Sequence, residues 1–408
     1  MMSQNIKKEI RLNQAVIFCG GAGSRLGSIT KIKPKPLIKI NNIPFIDYVI
    51  KNLCRYKFKS ILLLCGYKAY QFKKYNNLII DDTKIQCINE STPLGNAGAL
   101  LNAKKKLENY FLICNGDTYC DFNYLDLFTQ MNKDEFIGAV GGLNVNKDFN
   151  KKFDNLIIKK NQLKKIKQKY KNHKIINSGY SIFNKDILKY ISKNDESLEK
   201  QVFPKLILDN QLQAFSYNNR FIDMGTIPDL NYLKKNYKNL FVKKTIFLDR
   251  DGVINHDYNY VYNKKNFVWK KNLFKAVKYL NDKNYLVIVV TNQSGIGRGF
   301  YTKKHVEILH KYINEELKKK GAHIDDFYYA PYYKESKVFN FNVKDKFLRK
   351  PNIGMVKQAI KKRDINIKRS AIIGDSDTDM LLAKRLKIKG ILVNDSSDIL
   401  KIVKKNFK

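Results

Sequence analysis

The chain contains 408 residues, of which 44% are hydrophobic and 28% are charged. This composition is typical of a globular protein and excludes a disordered or fibrous chain. At roughly 100–200 residues per domain, the length predicts two or three domains. No apolar run reaches the ~20 residues of a membrane-spanning helix, and the first residues lack the apolar core of a signal peptide. We expect a cytoplasmic protein that does not bind membranes.

The chain is strongly basic, because it contains 77 Lys and Arg residues but 37 Asp and Glu residues, which gives a net charge of +40. Only ten of the basic residues are arginine, and the lysines are scattered through both halves of the chain. A nucleic-acid-binding domain would concentrate its basic residues on one face or arm. We therefore expect no nucleic-acid partner, and we expect the basic surface to attract phosphorylated small molecules.

All six cysteines precede residue 121, and several of them lie inside apolar runs that are typical of strands. None belongs to a C-x-x-C pair. This pattern favours buried free thiols over disulfides or metal ligands.

Apolar runs rich in β-branched residues alternate with helix-period segments along the whole chain. The alternation predicts an α/β fold with parallel sheets and crossover helices, and two Rossmann-like domains. The predicted elements of the first half are strands at 14–19, 60–65, 85–89, 110–114 and 136–140, and helices at 46–55 and 97–106. The predicted strands of the second half are 244–248, 285–290, 327–330, 370–373 and 390–393. A Lys- and Asn-rich segment at 231–243 predicts a terminal helix and a tether between domains at 1–240 and 244–408.

The first candidate site is a glycine-rich loop that follows the first predicted strand. Residues 20–26 have the sequence GGAGSRL, and a Pro-Lys-Pro element follows at 34–36. Glycines allow backbone N–H groups to approach phosphate oxygens, because no Cβ blocks them. Arg25 and Lys35 supply the positive charge that a triphosphate needs as it releases pyrophosphate. A glycine loop alone also fits an ordinary tight turn, so the prediction depends on its combination with the two cations.

The loop and the Pro-Lys-Pro element resemble those of the sugar-1-phosphate nucleotidyltransferases, over about residues 13–240. The segment PLGNAGA at 93–99 is similar to the family's nucleobase-contacting segment, with Asn96 where threonine is usual. The resemblance implies a nucleotidyltransferase fold whose glycine-rich segments bind a nucleoside triphosphate through Gly20, Gly21, Gly23, Ser24 and Gly95.

The same resemblance implies a Mg²⁺ site and a sugar-phosphate pocket. Asp117 follows a predicted strand, and the carboxyl ends of parallel strands are where ligand sites form. Asp223, in the sequence IDMGT, is similar to the family's second metal-binding carboxylate. Lys169, Asn177 and Gly179 match positions that contact the sugar phosphate, which would attack the α-phosphorus of the triphosphate.

Within this family, the chain is most similar to the D-glycero-D-manno-heptose 1-phosphate guanylyltransferases. The sequence SLEK at 197–200 and the Phe-Pro pair at 203–204 extend this finer resemblance. It implies GTP and heptose 1-phosphate as substrates.

The second candidate site is a pair of aspartates in the sequence DRDGVIN at 249–255, directly after a predicted strand. Two carboxylates this close raise each other's pKa unless a cation lies between them. Such pairs also occur in calcium loops and turns, so the later elements decide the chemistry. The sequence TNQSG at 291–295 follows the next strong strand, Arg-Lys-Pro at 349–351 precedes a helix, and GDSDTD at 374–379 follows a third strand.

These four elements have the order of the haloacid dehalogenase superfamily, and they resemble the D,D-heptose 1,7-bisphosphate phosphatases and the related histidinol phosphatases over about residues 244–395. The resemblance implies Asp249 as the nucleophile that forms an aspartyl-phosphate. Asp251 would protonate the leaving oxygen and later activate water. Asp375 would join Asp249 and Asp251 around Mg²⁺, and Asp379 would support the site. The implied phosphate-binding residues are Arg250, Thr291, Asn292, Gln293, Ser294, Arg349 and Lys350.

The sequence departs from these phosphatases in the loop before Arg349. The family usually carries a structural zinc there, held by a C-x-H and a C-x-C, but this chain has no cysteine after Cys120. We therefore expect no zinc, and a loop at 331–348 that is ordered by aromatic packing or stays mobile. Only 40 positions separate Asp251 from Thr291, too few for a large cap domain. The four histidines of this half show no metal-ligand spacing and are expected to be surface or capping residues: His256, His305, His310 and His323.

Together the two resemblances predict a bifunctional enzyme of nucleotide-sugar biosynthesis. The C-terminal domain would remove the C7 phosphate of a heptose 1,7-bisphosphate, and the N-terminal domain would join the resulting heptose 1-phosphate to a nucleotide. Two alternatives remain: the phosphatase acts on another small ester such as histidinol phosphate, or one domain is an inactive sensor. The intact carboxylates at both sites argue against the sensor. The sequence does not indicate the oligomeric state.

Overall fold

The computed structural model describes residues 10–145, 153–167, 174–336, 338–342 and 347–407. Contacts divide the chain into two units, one that ends at Tyr237 and one that begins at Lys238. The predicted α/β fold class is confirmed in both. The domain bounds at 240 and 244 stay a prediction, because one helix, Ile227–Phe241, crosses the division. Among the described residues, no helix is both long enough and apolar enough to span a membrane.

Fourteen strands are described in the first unit: β1 (Gln14–Phe18), β2 (Lys39–Ile40), β3 (Ile43–Pro44), β4 (Ser60–Cys65), β5 (Ile79–Ile80), β6 (Thr83–Asn89), β7 (Tyr110–Asn115), β8 (Thr118–Cys120), β9 (Gly138–Asn144), β10 (Asn155–Lys159), β11 (Gln162–Lys167), β12 (Ile175–Asn184), β13 (Leu212–Tyr217) and β14 (Phe221–Asp223). The α-helices up to the division are α1 (Ser28–Ile32), α2 (Phe45–Cys54), α3 (Gly95–Asn102), α4 (Tyr124–Gln130), α5 (Phe203–Leu208) and α6 (Ile227–Phe241).

One ten-stranded sheet forms the centre of the first unit, in the order β10-β11-β13-β9-β12-β7-β1-β4-β6-β5. Strands β7, β1, β4 and β6 are parallel, as the sequence predicts. Strand β12 is antiparallel to both β7 and β9, so the expectation of a parallel sheet is wrong in this part. The sequence pattern missed β10 (NLIIK) and β11 (QLKKIK), because each has only two or three apolar residues, flanked or interrupted by polar ones.

The second unit contains a smaller sheet whose five strands are all parallel. Its strands are β15 (Thr245–Leu248), β16 (Leu286–Asn292), β17 (Asp326–Ala330), β18 (Ala371–Gly374) and β19 (Lys389–Leu392), in the order β17-β16-β15-β18-β19. Its helices are α7 (Leu273–Asp282), α8 (Lys303–Lys318), α9 (Gly354–Lys362), α10 (Asp377–Leu386) and α11 (Ile399–Asn406). The positions of all five predicted strands are confirmed to within two residues.

Burial on both faces of the sheet explains the continuous apolar runs of the second unit. Ile246 and Leu248 of β15 pack into one hydrophobic cluster, and Phe247 between them packs into a second cluster. In the first unit, five of the six cysteines are buried and Cys87 is partly exposed, all of them as free thiols. The prediction of free thiols is therefore confirmed.

Two of the histidines do not lie where the sequence predicts. His305 closes a capping box at the start of α8, as expected, but His310 and His323 are buried. His310 lies on the apolar face of α8, and its ring stacks on Phe327 with centroids 4.5 Å apart. Burial lowers the pKa of His310 well below its usual value, and the charge of Arg250 lowers it further.

We predict that His310→Phe makes the stability of the protein less sensitive to acid. Below about pH 6.5 the unfolded chain binds a proton at this histidine and the native chain does not. The free energy of unfolding therefore falls as the pH falls, by up to ~1.4 kcal/mol per pH unit from this group. Phenylalanine keeps the ring contact and removes the titration. Denaturant unfolding of both proteins at about pH 7.5 and about pH 5 measures the effect, and an equal loss of stability in the two proteins would contradict it.

Candidate active sites

The first site is a cleft of about 860 Å³ at the carboxyl ends of the central strands of the first unit. The glycine loop after β1 borders the cleft, and so does the segment that begins α3. Residues from four separate stretches of the sequence meet here, as the sequence analysis expects: Gly20, Gly21, Gly23, Ser24, Arg25, Lys35, Gly95 and Asp117.

An ion pair between a buried lysine and an aspartate lies in this cleft. Lys35, which is 5% exposed, pairs with Asp117. Asp223 lies nearby because β14 pairs with β8 in a register that places it opposite Thr118, the residue after Asp117. The backbone N–H of Met224 also donates to the Asp117 carbonyl at 3.1 Å. The two carboxylates that the sequence assigns to Mg²⁺ therefore come from neighbouring strand ends.

A smaller pocket of about 280 Å³ adjoins the cleft and shares Arg25 and Asp117 with it. Asn177 and Gly179, two of the predicted sugar-phosphate residues, line this pocket, and so does Asp223, a predicted metal-binding residue. Lys169, the remaining residue of that prediction, lies outside the described residues.

Three charged residues that were not predicted from the sequence line this smaller pocket: Asp154, Glu199 and Lys200. Burial raises the pKa of Asp154, and nearby Lys200 lowers it. Lys200 supplies a cation on this side of the site. The sequence SLEK at 197–200 contains Glu199 and Lys200 and is part of the family resemblance. This resemblance was the signal that could have identified the two residues. Asp154 offered no signal in the sequence.

Glu90 was also not predicted from the sequence. It lies in the nucleotide cleft, directly after β6. Its Oε2 accepts a hydrogen bond from the backbone N–H of Leu94 at 3.3 Å. Burial raises the pKa of Glu90. Within the described ranges, no lysine or arginine pairs with this carboxylate. Its position at the end of a parallel strand was the signal that could have found it.

The second site is a pocket of about 310 Å³ at the carboxyl ends of the strands of the second unit. The structure brings eight of the predicted residues together around it: Asp249, Asp251, Thr291, Asn292, Gln293, Ser294, Lys350 and Asp375. Residues that the sequence did not single out also line it, among them Asp257, Asn259, Tyr260 and Tyr301.

Three carboxylates and one lysine are crowded at the base of this pocket. Oxygens of Asp249, Asp375 and Asp379 lie within 4.8 Å of one another. The Nζ of Lys350 lies 2.6 Å from Asp249 Oδ2 and 2.7 Å from Asp379 Oδ1. Burial raises the pKa of Asp249 to about 7 although Lys350 lowers it, and burial together with Asp379 raises the pKa of Asp375. Hard oxygen ligands in a site that disfavours their charged forms fit a divalent cation.

Side-chain donors also hold the carboxylate of Asp251. Arg250 Nη2 donates to both of its carboxylate oxygens at 2.8 Å, and Asn255 Nδ2 and Gln293 Nε2 each donate at 2.9 Å. These bonds fix the carboxylate next to Asp249 without placing it in the Lys350 cluster.

Two arginines predicted to bind phosphate do not line the pocket. Arg250 is fully buried and donates to Asp251 and to the Val261 carbonyl. Arg349 donates instead to the Tyr332 carbonyl at 3.2 Å. Their places next to the key residues in the sequence suggested contact with substrate, but each side chain is occupied by the protein itself.

Aromatic contacts are present in the described part of the loop before Arg349, for which the sequence leaves open order by such packing or mobility. The rings of Tyr332 and Phe341 meet edge-on with centroids 6.2 Å apart. The guanidinium of Arg298 lies 3.6 Å from the centre of the Tyr333 ring.

Each unit contains a sheet with a pocket of carboxylates and lysine at its carboxyl edge, and a glycine loop lines the pocket of the first unit. These features define an enzyme with a nucleotidyltransferase unit and a phosphatase unit. A model of the nucleotidyl transferase family matches residues 14–239. A HAD-hydrolase-like model matches residues 347–399.

Individual relatives resemble one unit or the other. The D-glycero-alpha-D-manno-heptose-1,7-bisphosphate 7-phosphatase of Photorhabdus laumondii is 39% identical over 145 residues, or 36% of this chain and 79% of that protein. The D-glycero-beta-D-manno-heptose-1,7-bisphosphate 7-phosphatase of Helicobacter pylori strain J99 is 38% identical over 151 residues, or 37% of this chain and 82% of that protein. The crystal structure of HddC from Yersinia pseudotuberculosis has 29% identity and a TM-score of 0.49, and covers 55% of this chain and 100% of that one.

The chain therefore belongs to the nucleotidyl transferases in its N-terminal part and to the phosphatases of the haloacid dehalogenase superfamily in its C-terminal part. Nucleotides and sugar phosphates are the substrates of such enzymes, so its ligands are small phosphorylated molecules.

We predict that Gly252→Ala lowers the phosphatase activity at least ~100-fold, which is the effect of displacing a group of the active site by about 1 Å. A Cβ at Gly252, where φ is +76°, would lie 1.8 Å from Asp375 Oδ2. Gly299 is the matched control, because its φ is +80° but nothing lies within 4 Å of a Cβ there. Both variants bear similar backbone strain, but only Gly252→Ala places a Cβ against Asp375.

The measurement is hydrolysis of p-nitrophenyl phosphate with Mg²⁺ by the wild type and both variants. Gly299→Ala should keep nearly full activity, because the backbone strain of ~1 kcal/mol lowers the stability of the protein but displaces no side chain of the pocket. Equal losses in the two variants would contradict the placement of Asp375 against Gly252.

Proposed function

We propose that this protein catalyses two consecutive steps of nucleotide-sugar biosynthesis. The second unit removes the C7 phosphate of D-glycero-D-manno-heptose 1,7-bisphosphate, and the first unit joins the resulting heptose 1-phosphate to a nucleotide. One observation supports this most strongly: a single chain joins a nucleotidyl transferase unit to a second unit whose relatives are named heptose-1,7-bisphosphate 7-phosphatases. The alpha and the beta anomer of the bisphosphate both occur in the names of these relatives. Both anomers are therefore tested as substrates.

In the proposed phosphatase reaction, a carboxylate oxygen of Asp249 attacks the C7 phosphorus and forms an aspartyl-phosphate. Asp251 gives a proton to the leaving C7 oxygen, and later takes a proton from the water that releases inorganic phosphate. Lys350 balances negative charge beside Asp249, at 2.6 Å. Asp249, Asp375 and the Asp251 carbonyl would hold Mg²⁺, which supplies positive charge to the phosphoryl oxygens when bound.

Zinc is not part of this proposal. A structural zinc needs about four Cys or His ligands, and residues 331–350 contain neither residue type. We expect Mg²⁺ to suffice for phosphatase activity.

In the proposed transferase reaction, an oxygen of the sugar phosphate attacks the α-phosphorus of the triphosphate, and pyrophosphate leaves. Backbone N–H groups of the glycine loop and the side chains of Arg25 and Lys35 would bind the phosphates and stabilise the developing charge. Asp117 and Asp223 would hold Mg²⁺, which supplies further positive charge at the α-phosphate when bound. Asn177 and Gly179 line the proposed sugar-phosphate pocket.

GTP is the proposed nucleotide because Glu90 is an acceptor without a cationic partner, within the described residues, in the nucleotide cleft. An ionised carboxylate accepts two parallel hydrogen bonds and donates none. Guanine presents two adjacent donors, N1–H and N2–H₂, on one edge. Adenine, cytosine and uracil each place an acceptor beside their donor, so the carboxylate would repel one of the two atoms.

We predict that Asp249→Asn abolishes phosphatase turnover and leaves nucleotidyl transfer from supplied heptose 1-phosphate intact. Asparagine keeps the shape of the side chain but is not a nucleophile, and the two sets of site residues belong to separate sheets. Release of phosphate and of pyrophosphate, measured separately, checks both halves. Asp117→Ala is the reciprocal control and should lose only transfer. Loss of both activities in a folded Asp249→Asn protein would contradict the assignment of one reaction to each unit.

We predict that Glu90→Gln narrows the preference for GTP over UTP by about 100-fold or more, because a site built to pair polar groups rejects a mismatched partner strongly. Glutamine offers one acceptor and one donor, so it cannot pair with both guanine donors. The ratio of kcat/KM values for GTP and UTP measures the preference. Glu108→Gln, at an exposed glutamate outside the cleft, is the matched control. An unchanged ratio in Glu90→Gln would rule out Glu90 as the base-reading residue.

A further inference from the structure

One amide side chain joins the segment that begins α3 to the segment that borders the smaller pocket. Asn96 Nδ2 donates to Glu199 Oε2 at 2.9 Å, and the backbone N–H of Leu198 donates to Asn96 Oδ1 at 2.7 Å. Asn96 lines the nucleotide cleft, whereas Glu199 lines the 280 Å³ pocket. The backbones also meet, because Ala97 N donates to the Glu196 carbonyl at 3.3 Å.

Asparagine is suited to this bridge where the family usually has threonine. Its amide presents a donor and an acceptor on two different atoms, and here each is used by a different partner. A threonine hydroxyl would have to offer both functions from one atom, one bond nearer the backbone. The departure from the family pattern therefore coincides with a contact between the two pockets.

Only one oxygen of the Glu199 carboxylate is occupied by the protein. Oε2 accepts from Asn96 and, at 3.4 Å, from the Ser197 hydroxyl. In the part of the chain that the structure describes, Oε1 has no hydrogen-bond or ion-pair partner. The start of the helical turn Leu198–Val202 is itself fixed, since Ser197 Oγ accepts from the Lys200 N–H at 3.2 Å. Glu199 is therefore held in place through Oε2, and its Oε1 can accept a hydrogen bond from a ligand in this pocket.

We infer that Glu199 accepts a hydrogen bond from a hydroxyl group of the sugar phosphate and helps to select the sugar. Asn96 is a positioning residue that holds Glu199 for this contact. The inference rests on the proposed use of the smaller pocket for the sugar phosphate. Sugar hydroxyls are donors, and a bond to an ionised acceptor is about twice as strong as one between neutral groups. Because Asn96 also borders the nucleotide cleft, one side chain links the two substrates.

The first test compares nucleotidyl transfer by the wild type, Glu199→Gln and Glu199→Ala, with GTP and heptose 1-phosphate. We expect KM for heptose 1-phosphate to rise about tenfold or more, the effect of losing one charge-assisted hydrogen bond, and KM for GTP to change less than about twofold. Heptose 1-phosphate analogues that each lack one hydroxyl identify the contact. One analogue should be penalised in the wild type and not in Glu199→Ala, a pattern that a merely structural role would not produce.

The second test changes Asn96. Asn96→Asp keeps the acceptor for Leu198 N–H but places a second carboxylate beside Glu199, so it should raise KM for heptose 1-phosphate at least as much as Asn96→Ala does. The double variant Asn96→Ala with Glu199→Ala should be no worse than Glu199→Ala alone, since Asn96 acts through Glu199. Asn102→Ala, at an exposed position of the same helix, should match the wild type.

Several results would overturn the inference. If Arg25→Ala loses transfer but the Glu199 variants behave as the wild type, the inference fails and the proposed function stands. If the Glu199 variants raise KM for GTP and heptose 1-phosphate equally, or if no single hydroxyl is distinguished, Glu199 does not read the sugar. If the wild type transfers no nucleotide to either anomer of heptose 1-phosphate, the proposed function fails and the inference fails with it.

Discussion

A buried lysine paired with aspartate organises each site. Lys35 pairs with Asp117 in the first unit, and Lys350 bridges Asp249 and Asp379 in the second. A buried ammonium group without its partner is costly, and removing one member of such a pair typically destabilises a protein by about 3–5 kcal/mol. The pairs therefore fix where the strand ends meet, and each leaves carboxylate oxygens at the carboxyl edge of a sheet.

The same arrangement suits chemistry on phosphate groups. A phosphoryl or nucleotidyl group brings negative charge to a site whose own carboxylates repel it, so cations must balance both. In the first site Arg25, Lys35 and Lys200 contribute positive charge, and in the second Lys350 contributes it. The net charge of +40 adds a long-range attraction for such substrates. Asp249, Asp375 and Asp379 also form a cluster of carboxylate oxygens, the kind of ligand that Mg²⁺ prefers.

The features that the sequence predicted correctly are local ones. A strand followed by GGAGSRL or by DRDGVIN is readable because strand periodicity, glycine and charge lie within a few neighbouring residues. Tertiary packing decided the rest. Arg250 lies between two aspartates in sequence, yet burial directs it to Asp251 instead of to the pocket. Glu90 and Glu199 line their pockets only because segments distant in sequence meet there.

We propose that one chain carries out both steps in order on the same sugar. The most direct measurement is to incubate the wild-type protein with Mg²⁺, GTP and each anomer of heptose 1,7-bisphosphate, and to identify the products by mass over time. We expect inorganic phosphate to appear first, followed by pyrophosphate and a guanosine diphosphate heptose in equal amounts. Pyrophosphate released without prior release of phosphate, or no nucleotide sugar from either anomer, would contradict it.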